Sequence, residues 1–450
     1  MSQYLPNLIR LDLSDSKKLE KILDFGEFPN LESLNLERCI NLVKLDPSIG
    51  LLKKLVYLNV KGCYNLVSIP NNIFGLSSLE YLNMSGCSKL MKPGTSHCRS
   101  TSSVFKWLIF PNNASFSAPI THAYMLPCFR ILYCLRNVDI SFCHLSHVPD
   151  AIECLNWLER LNLGGNNFVA LPSMRKLSRL VYLNLEHCKL LESLPQLPFP
   201  STIGPDYHEN NEYYCTTGLV IFNCPKLGER ECCSSITFSW MTQFIQANQQ
   251  SYGPILYNLQ IVTPGSEIPS WIKNKSKGGS ILINKPPIIH DNKNNIIGFV
   301  CCALFCMAPQ DQTMIECLPL SIYMKMSDER NCTKFPVIID TDLIPTKSSH
   351  LWLVYFPREY YDVFGTIRVY CTSYGREVVG MDVKCCGYRW VCQQDLQEFN
   401  LTKKVLTAAS ATETVGLQLL LQNQILHQVH LLHKKQKVPI VCLLTKFQMQ

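Results

Sequence analysis

Apolar and polar positions alternate in a fixed order between Leu31 and Leu90. The chain reads LESLNLERCINLVKLDPSIGLLKK, then LVYLNVKGCYNLVSIPNNIFGLSS, then LEYLNMSGCSKL. Leu31, Leu34, Leu36, Cys39 and Leu42 return as Leu55, Leu58, Val60, Cys63 and Leu66. They return again as Leu79, Leu82, Met84, Cys87 and Leu90, a period of 24 residues. The apolar-polar alternation inside LxxLxL predicts a short strand, and the remainder of each copy a return arm. The whole pattern, LxxLxLxxCxxL, is a leucine-rich repeat. A single copy cannot bury its own leucines, whereas stacked copies share a continuous core worth roughly 1.5–3 kcal/mol per buried leucine.

The pattern extends in both directions. Leu8, Leu11 and Leu13, with Ser16 in the cysteine slot, form an earlier copy. Later copies are Leu135/Val138/Ile140/Cys143, Leu158/Leu161/Leu163/Asn166 and Leu180/Leu183/Leu185/Cys188, and Leu219–Leu227 reads as a closing strand. An amide at Asn166 can satisfy the turn backbone as the thiol does elsewhere. The arms carry Leu45-Asp-Pro47, Ile69-Pro70, Val148-Pro149 and Leu171-Pro172, where proline suits backbone that joins no ladder. Residues 91–134 break the register and read as an insertion rich in Ser, Pro and Asn. Because the first copy lacks a polar capping unit, the chain is expected to be the C-terminal part of a longer protein, or to fold poorly alone.

After about Cys232 the period changes. The spacing predicts a helix over Ser235–Gln249. Strands follow at Leu259–Val262, Ser280–Asn284, Ile296–Phe305, Ser321–Met326, His350–Phe356, Thr366–Tyr374 and Val378–Cys386. The expected fold is therefore an α/β repeat solenoid with short parallel strands and irregular convex arms over 1–228, followed by an all-β sandwich over 229–400. An atypical tail over 401–450 has helical spacing at Leu417–Leu432.

Bulk properties narrow the function. A net charge of +7 spread over 450 residues does not make a nucleic-acid-binding face. No apolar run reaches the length of a membrane span, and the first residues lack a basic-then-apolar leader. Six of the 23 cysteines (Cys39, Cys63, Cys87, Cys143, Cys188 and Cys224) occupy one inward slot, which calls for buried free thiols and a reducing, cytoplasmic or nuclear compartment. No CxxC pair, phosphate loop, GxSxG elbow or HExxH helix occurs. No catalytic, cofactor or metal residue is expected.

Side chains between the leucines point outward and make three columns. Asp12, Asn35, Asn59, Asn83, Asp139, Asn162 and Asn184 form the middle one, read as a hydrogen-bonded ladder along the sheet. The flanks are mixed in charge and aromatic, as protein-binding surfaces are. Arg10, Tyr57, Lys61, Tyr81, Arg160, Tyr182 and Glu186 are the candidate contacts. A secreted repeat inhibitor or receptor ectodomain binding an extracellular protein is the alternative, and glycans on Asn113 or Asn331 would favour it.

The cysteine-bearing repeat with its Leu-Pro arms resembles the repeats of plant intracellular disease-resistance receptors with Toll-like and nucleotide-binding domains. Pro264, Gly265, Ser266, Glu267, Ile268, Pro269 and Trp271, followed by Ser276-Lys-Gly278-Gly-Ser280-Ile281, are similar to the PGSEIPxWF…SxGxSI motif of the jelly-roll/Ig-like domain behind those repeats. Ile272 stands where that motif has Phe. His350–Tyr355 and Val383–Gly387 match later strands of the same domain. The resemblance implies recognition of a pathogen effector or a guarded host protein, and contact with a nucleotide-binding domain in a longer parent. The sequence given contains neither the Toll-like nor the nucleotide-binding domain, so their NAD hydrolysis and nucleotide exchange are not assigned to it. No nucleic-acid or membrane partner is implied.

Overall fold

A computed structural model describes residues 4–21, 24–91, 132, 134–148, 150–198, 217–228, 232–250, 259–284, 296–307, 320–327, 332–339, 348–357, 366–373, 376–377, 381–392 and 394–395. Most of the expected insertion at 91–134 and the whole tail over 401–450, including the Leu417–Leu432 helix, lie outside the described residues. Met1–Gln393 form one compact unit.

Each repeat contributes one short strand. These are β1 (Arg10–Asp12), β2 (Ser33–Asn35), β3 (Tyr57–Asn59), β4 (Tyr81–Asn83), β5 (Asn137–Asp139), β6 (Arg160–Asn162), β7 (Tyr182–Asn184) and β8 (Thr217–Val220). They pair in parallel in chain order and in step, so Leu11, Leu34, Leu58, Leu82, Val138, Leu161, Leu183 and Leu219 share one row. Behind this row lie the apolar residues of the arms. Ile49, Leu52, Ile73, Leu76, Ile152 and Leu155 are all buried, on tight helical turns such as Pro47–Leu51 and Asp150–Cys154. Leu8, Leu11, Leu13 and Leu19 of the first copy are only half-buried, since one side of that copy has no neighbour among the described residues.

The cysteine slot works by a repeated contact. Sγ of Cys39, Cys63, Cys87, Cys143, Cys188 and Cys224 reaches the carbonyl oxygen of Leu13, Leu36, Val60, Met84, Leu163 and Leu185, at 3.0–3.5 Å. Asn166 fills the same place with more bonds. Its Nδ2 donates to Ile140 and Leu163, and its Oδ1 accepts from Cys143 and Leu145. The residue just before the slot has a left-handed backbone in every copy: Asp15, Arg38, Gly62, Gly86, Phe142, Gly165, His187 and Asn223, with φ from 54° to 74°. Through His187, that residue's N–H donates to a carbonyl of the next copy, extending the ladder past the strand; Asn223 donates to His350 instead.

The ladder does not stop at the last repeat. β9 (Leu259–Pro264) pairs in parallel with β8, and Ile221 N–H donates to Val262 as earlier copies donate to each other. From β9 the pairing turns antiparallel, through β15 (Ser349–Pro357), β12 (Ile296–Met307), β18 (Met381–Cys392) and the edge strand β10 (Asn274–Lys277). Repeat strands and later strands are one 13-stranded sheet. A second sheet holds β11 (Ser280–Leu282), β16 (Thr366–Ser373), β13 (Leu320–Ser327) and β14 (Cys332–Ile339), with β17 (Arg376–Glu377) paired to β16. Ile281, Ile367 and Val369 of the second sheet share one apolar core with Val262, Phe299, Phe305, Trp352, Phe356 and Tyr388 of the first. A helical turn, α1 (Pro225–Gly228), and the helix α2 (Cys232–Gln250) lie between β8 and β9; α2 packs along β9 and buries Trp240, Met241, Phe244 and Ile245.

β10, β14 and β17 add to the strands expected from sequence. β10 reads Asn-Lys-Ser-Lys and lies at the edge of its sheet, where charge is tolerated. β14 carries Pro336 mid-strand, which argues against a central strand but not against an edge.

Candidate recognition surface on the repeat sheet

The floor of the polar face is the middle column. In all seven copies the side-chain oxygen accepts the backbone N–H two residues on, from Ser14, Glu37, Lys61, Ser85, Ser141, Gly164 and Glu186. The dominant bond is thus within a copy and turns the chain out of the strand. The expected cross-copy ladder is present at two steps, from Asn35 to Asp12 and from Asn162 to Asp139. Asn59 bonds Glu37 instead. Hydrogen bonds from Ser14 hold the exposed Asp12 carboxyl below the usual carboxylate range, whereas burial pushes Asp139 up against the bonds from Ser141 and Asn162.

One flank is a row of flat groups. The Tyr57 and Tyr81 rings stack at 4.3 Å with 8° between planes. The Arg160 guanidinium lies 4.3 Å over the Tyr182 ring. Arg10 is exposed at the start of the row, and Tyr57, Tyr81 and Arg160 are half-buried. On the other flank Lys61 is exposed and 3.9 Å from Glu37, while Ser85 and Ser141 share a 2.8 Å hydroxyl bond.

The end of the face nearest β8 departs from the expectation. Glu186 is only 4% exposed, and Tyr182 packs against the shared apolar core, where burial pushes its hydroxyl well above its ordinary range. The reason is visible in the columns: at β8 and β9 the floor position changes from Asn to Val220 and Val262, both of which belong to that core. Glu186 is therefore a buried wall residue and is withdrawn as a surface contact.

The PGSEIP segment is a brace. Pro264 ends β9, and Gly265 N–H donates to Ser349 with the Leu351 Cβ only 3.4 Å from where a side chain would begin. Ser266 and Glu267 are exposed, Ile268 is buried and Pro269 half-buried. Lys275 Nζ donates to Ile268 and an Arg389 guanidinium N–H to Trp271, whose ring lies 5.3 Å from Phe238 of α2. These residues fasten the helix to β18.

Sequence reasoning missed the junction behind this brace. His350 on β15 is fully buried, 4.5 Å from the Phe222 ring, and its Nε2 accepts from the Asn223 N–H at 3.2 Å. Asn223 Nδ2 donates to His187 Nδ1 at 2.8 Å. Burial pushes His350 down to about 4, and neighbouring His187 acts in the same direction. Among the described residues no group of three or more His, Cys, Asp or Glu could hold a metal ion, and no helix is long and apolar enough to cross a membrane.

Residues 263–423 match the C-JID domain family, so the match begins at the brace. A disease resistance-like protein of Arabidopsis thaliana, DSC1, is 30% identical over 185 residues, which cover 35% of this chain and 14% of that protein. Disease resistance protein RML1B of the same plant is 26% identical over 413 residues, 88% of this chain and 35% of its own length. The chain carries a C-JID domain and is homologous to plant disease resistance proteins. It spans about a third or less of the two relatives just named. Among solved structures, the functional domain of InlJ from Listeria monocytogenes, which includes a cysteine ladder, aligns with 49% of this chain and 52% of that chain at 17% identity. The TM-score of that alignment with the C-JID-bearing chain is 0.17.

Proposed function

We propose that this chain is the non-catalytic recognition region of a plant innate immune receptor, working in the cytoplasm or nucleus and sensing a pathogen effector or a guarded host protein. The concave repeat face over 1–228 and the post-repeat domain over 229–400, read as a β-sandwich of two sheets on one core, together form the sensor. The observation that carries this reading is the flank row. Tyr57, Tyr81 and Arg160 are held flat by stacking and cation–π contact, so little side-chain entropy is lost when a partner docks. Homology to plant disease resistance proteins supports a role in defence.

The test uses the longer receptor to which such a chain belongs. Alanine at Tyr57, Tyr81 and Arg160 together should abolish effector-triggered cell death while leaving protein level unchanged. An intact response would remove this surface from recognition.

A further inference from the structure

Trp157 sits three residues before β6 on the rim of the sheet and is 41% exposed. The matching positions of other copies hold Asn30, Lys54, Ser78, Cys134 and Arg179, so the repeat has no need of an indole there. Two guanidiniums lie over the ring, Arg136 at 5.7 Å from the copy before and Arg179 at 3.7 Å from the copy after. Beside them, Arg160 covers Tyr182 at 4.3 Å. The backbone makes these one surface, because Arg160 N–H donates to Arg136. Three arginines on two rings thus run from the concave flank over the rim.

The charges around them differ. Arg136 is held by Glu80 at 3.4 Å and Glu159 at 2.9 Å. Arg179 makes no ion pair among the described residues and lies against the Trp157 ring. Exposed tryptophan and arginine are the residue types that dominate binding energy at protein interfaces, and a guanidinium steadied on a ring is ready for a carboxylate.

We propose that this rim is an anchor for a protein segment in which separate carboxylates alternate with apolar side chains. An apolar group rests against Trp157 and a carboxylate meets Arg179. Aromatic rings with arginines also suit single-stranded nucleic acid. Glu80 and Glu159, however, would repel a run of phosphates. The inference rests on the recognition reading above and deepens it by naming the partner's chemistry.

A displayed library of random peptides selected against the full chain provides the test, followed by anisotropy titration of the recovered peptides and of a polyuridine RNA. The expected result is enrichment of peptides that mix Asp or Glu with apolar residues. Their binding should weaken by about tenfold or more in Trp157→Ala and in Arg179→Gln, stay unchanged in Lys44→Ala at an exposed position outside both surfaces, and fall as salt is raised. Trp157 is exposed and Arg179 half-buried, and unchanged circular dichroism and Tm will show that the variants fold. Peptides without acidic residues, equal binding by the rim variants, or tighter binding of the RNA would each overturn the proposal. Should the rim variants leave the plant response intact while the Tyr57/Tyr81/Arg160 variant abolishes it, the rim alone is excluded and the concave reading stands.

Discussion

The thiols of the repeat slot illustrate what burial does to a reactive group. Burial pushes Cys63 and Cys143 up to about 12, and Cys87 and Cys224 well above their ordinary range. At pH 8 these four should resist iodoacetamide in the native chain, and exposed Cys154 should label before them. Peptide mass spectrometry before and after denaturation will check this; rapid native labelling of Cys63 would contradict the slot geometry. His350 gives a pH dependence. Its folded pKa lies below the ordinary 6.5, so its neutral form is the one the fold accepts. The stability that this provides is present above pH 6.5 and is lost as pH falls toward about 4. His350→Gln should flatten that part of the pH–stability curve, measured by urea denaturation. The inward slot was legible in the sequence because it recurs at a fixed spacing. His350 was not, because its partner Asn223 is 127 residues away.

At the level of elements, two glycines leave no room for a side chain. Gly165 has φ +66°, and a Cβ there would sit 2.3 Å from the Phe142 ring. Gly165→Ala should cost roughly 1–3 kcal/mol, from the strained backbone and the clash together. Gly218 on β8 is tighter still, since a Cβ would fall 1.7 Å from the Gln260 carbonyl oxygen of β9. Gly218→Ala must part β8 from β9, and the loss should exceed about 2 kcal/mol in chemical denaturation. The repeat strands could be read from the sequence because one face is leucine and the other polar. Edge strands β10 and β14 could not, because a charged edge and a mid-strand proline are tolerated only where one side of a strand stays unpaired. The flank row was readable as a list of residues but not as stacked pairs, since stacking depends on rotamers that neighbouring copies impose.

For the molecule as a whole, the sequence marks a change of period near Cys232, but the hydrogen-bonded ladder passes through that change. Val220 and Val262 replace asparagine on the polar column where the second sheet begins to cover it, so the end of the face becomes core. That substitution can be seen in the sequence only once the register of β8 against β9 is known. If the sheet acts as one cooperative body, repeat and post-repeat probes should unfold together in urea. Hydrogen exchange that separates Leu58 from Trp352 by more than about 1 kcal/mol would count against a single body.

The unbroken pairing of β8 with β9 also bears on how a docking event would be felt elsewhere. A solenoid joined to its neighbour by a flexible link can tilt on its own and dissipate a push. Here the backbone bonds cross the join with the same spacing as inside the stack, and Gly218 leaves no slack between the strands. Pressure on the repeat face should therefore be felt across the join instead of being absorbed by it.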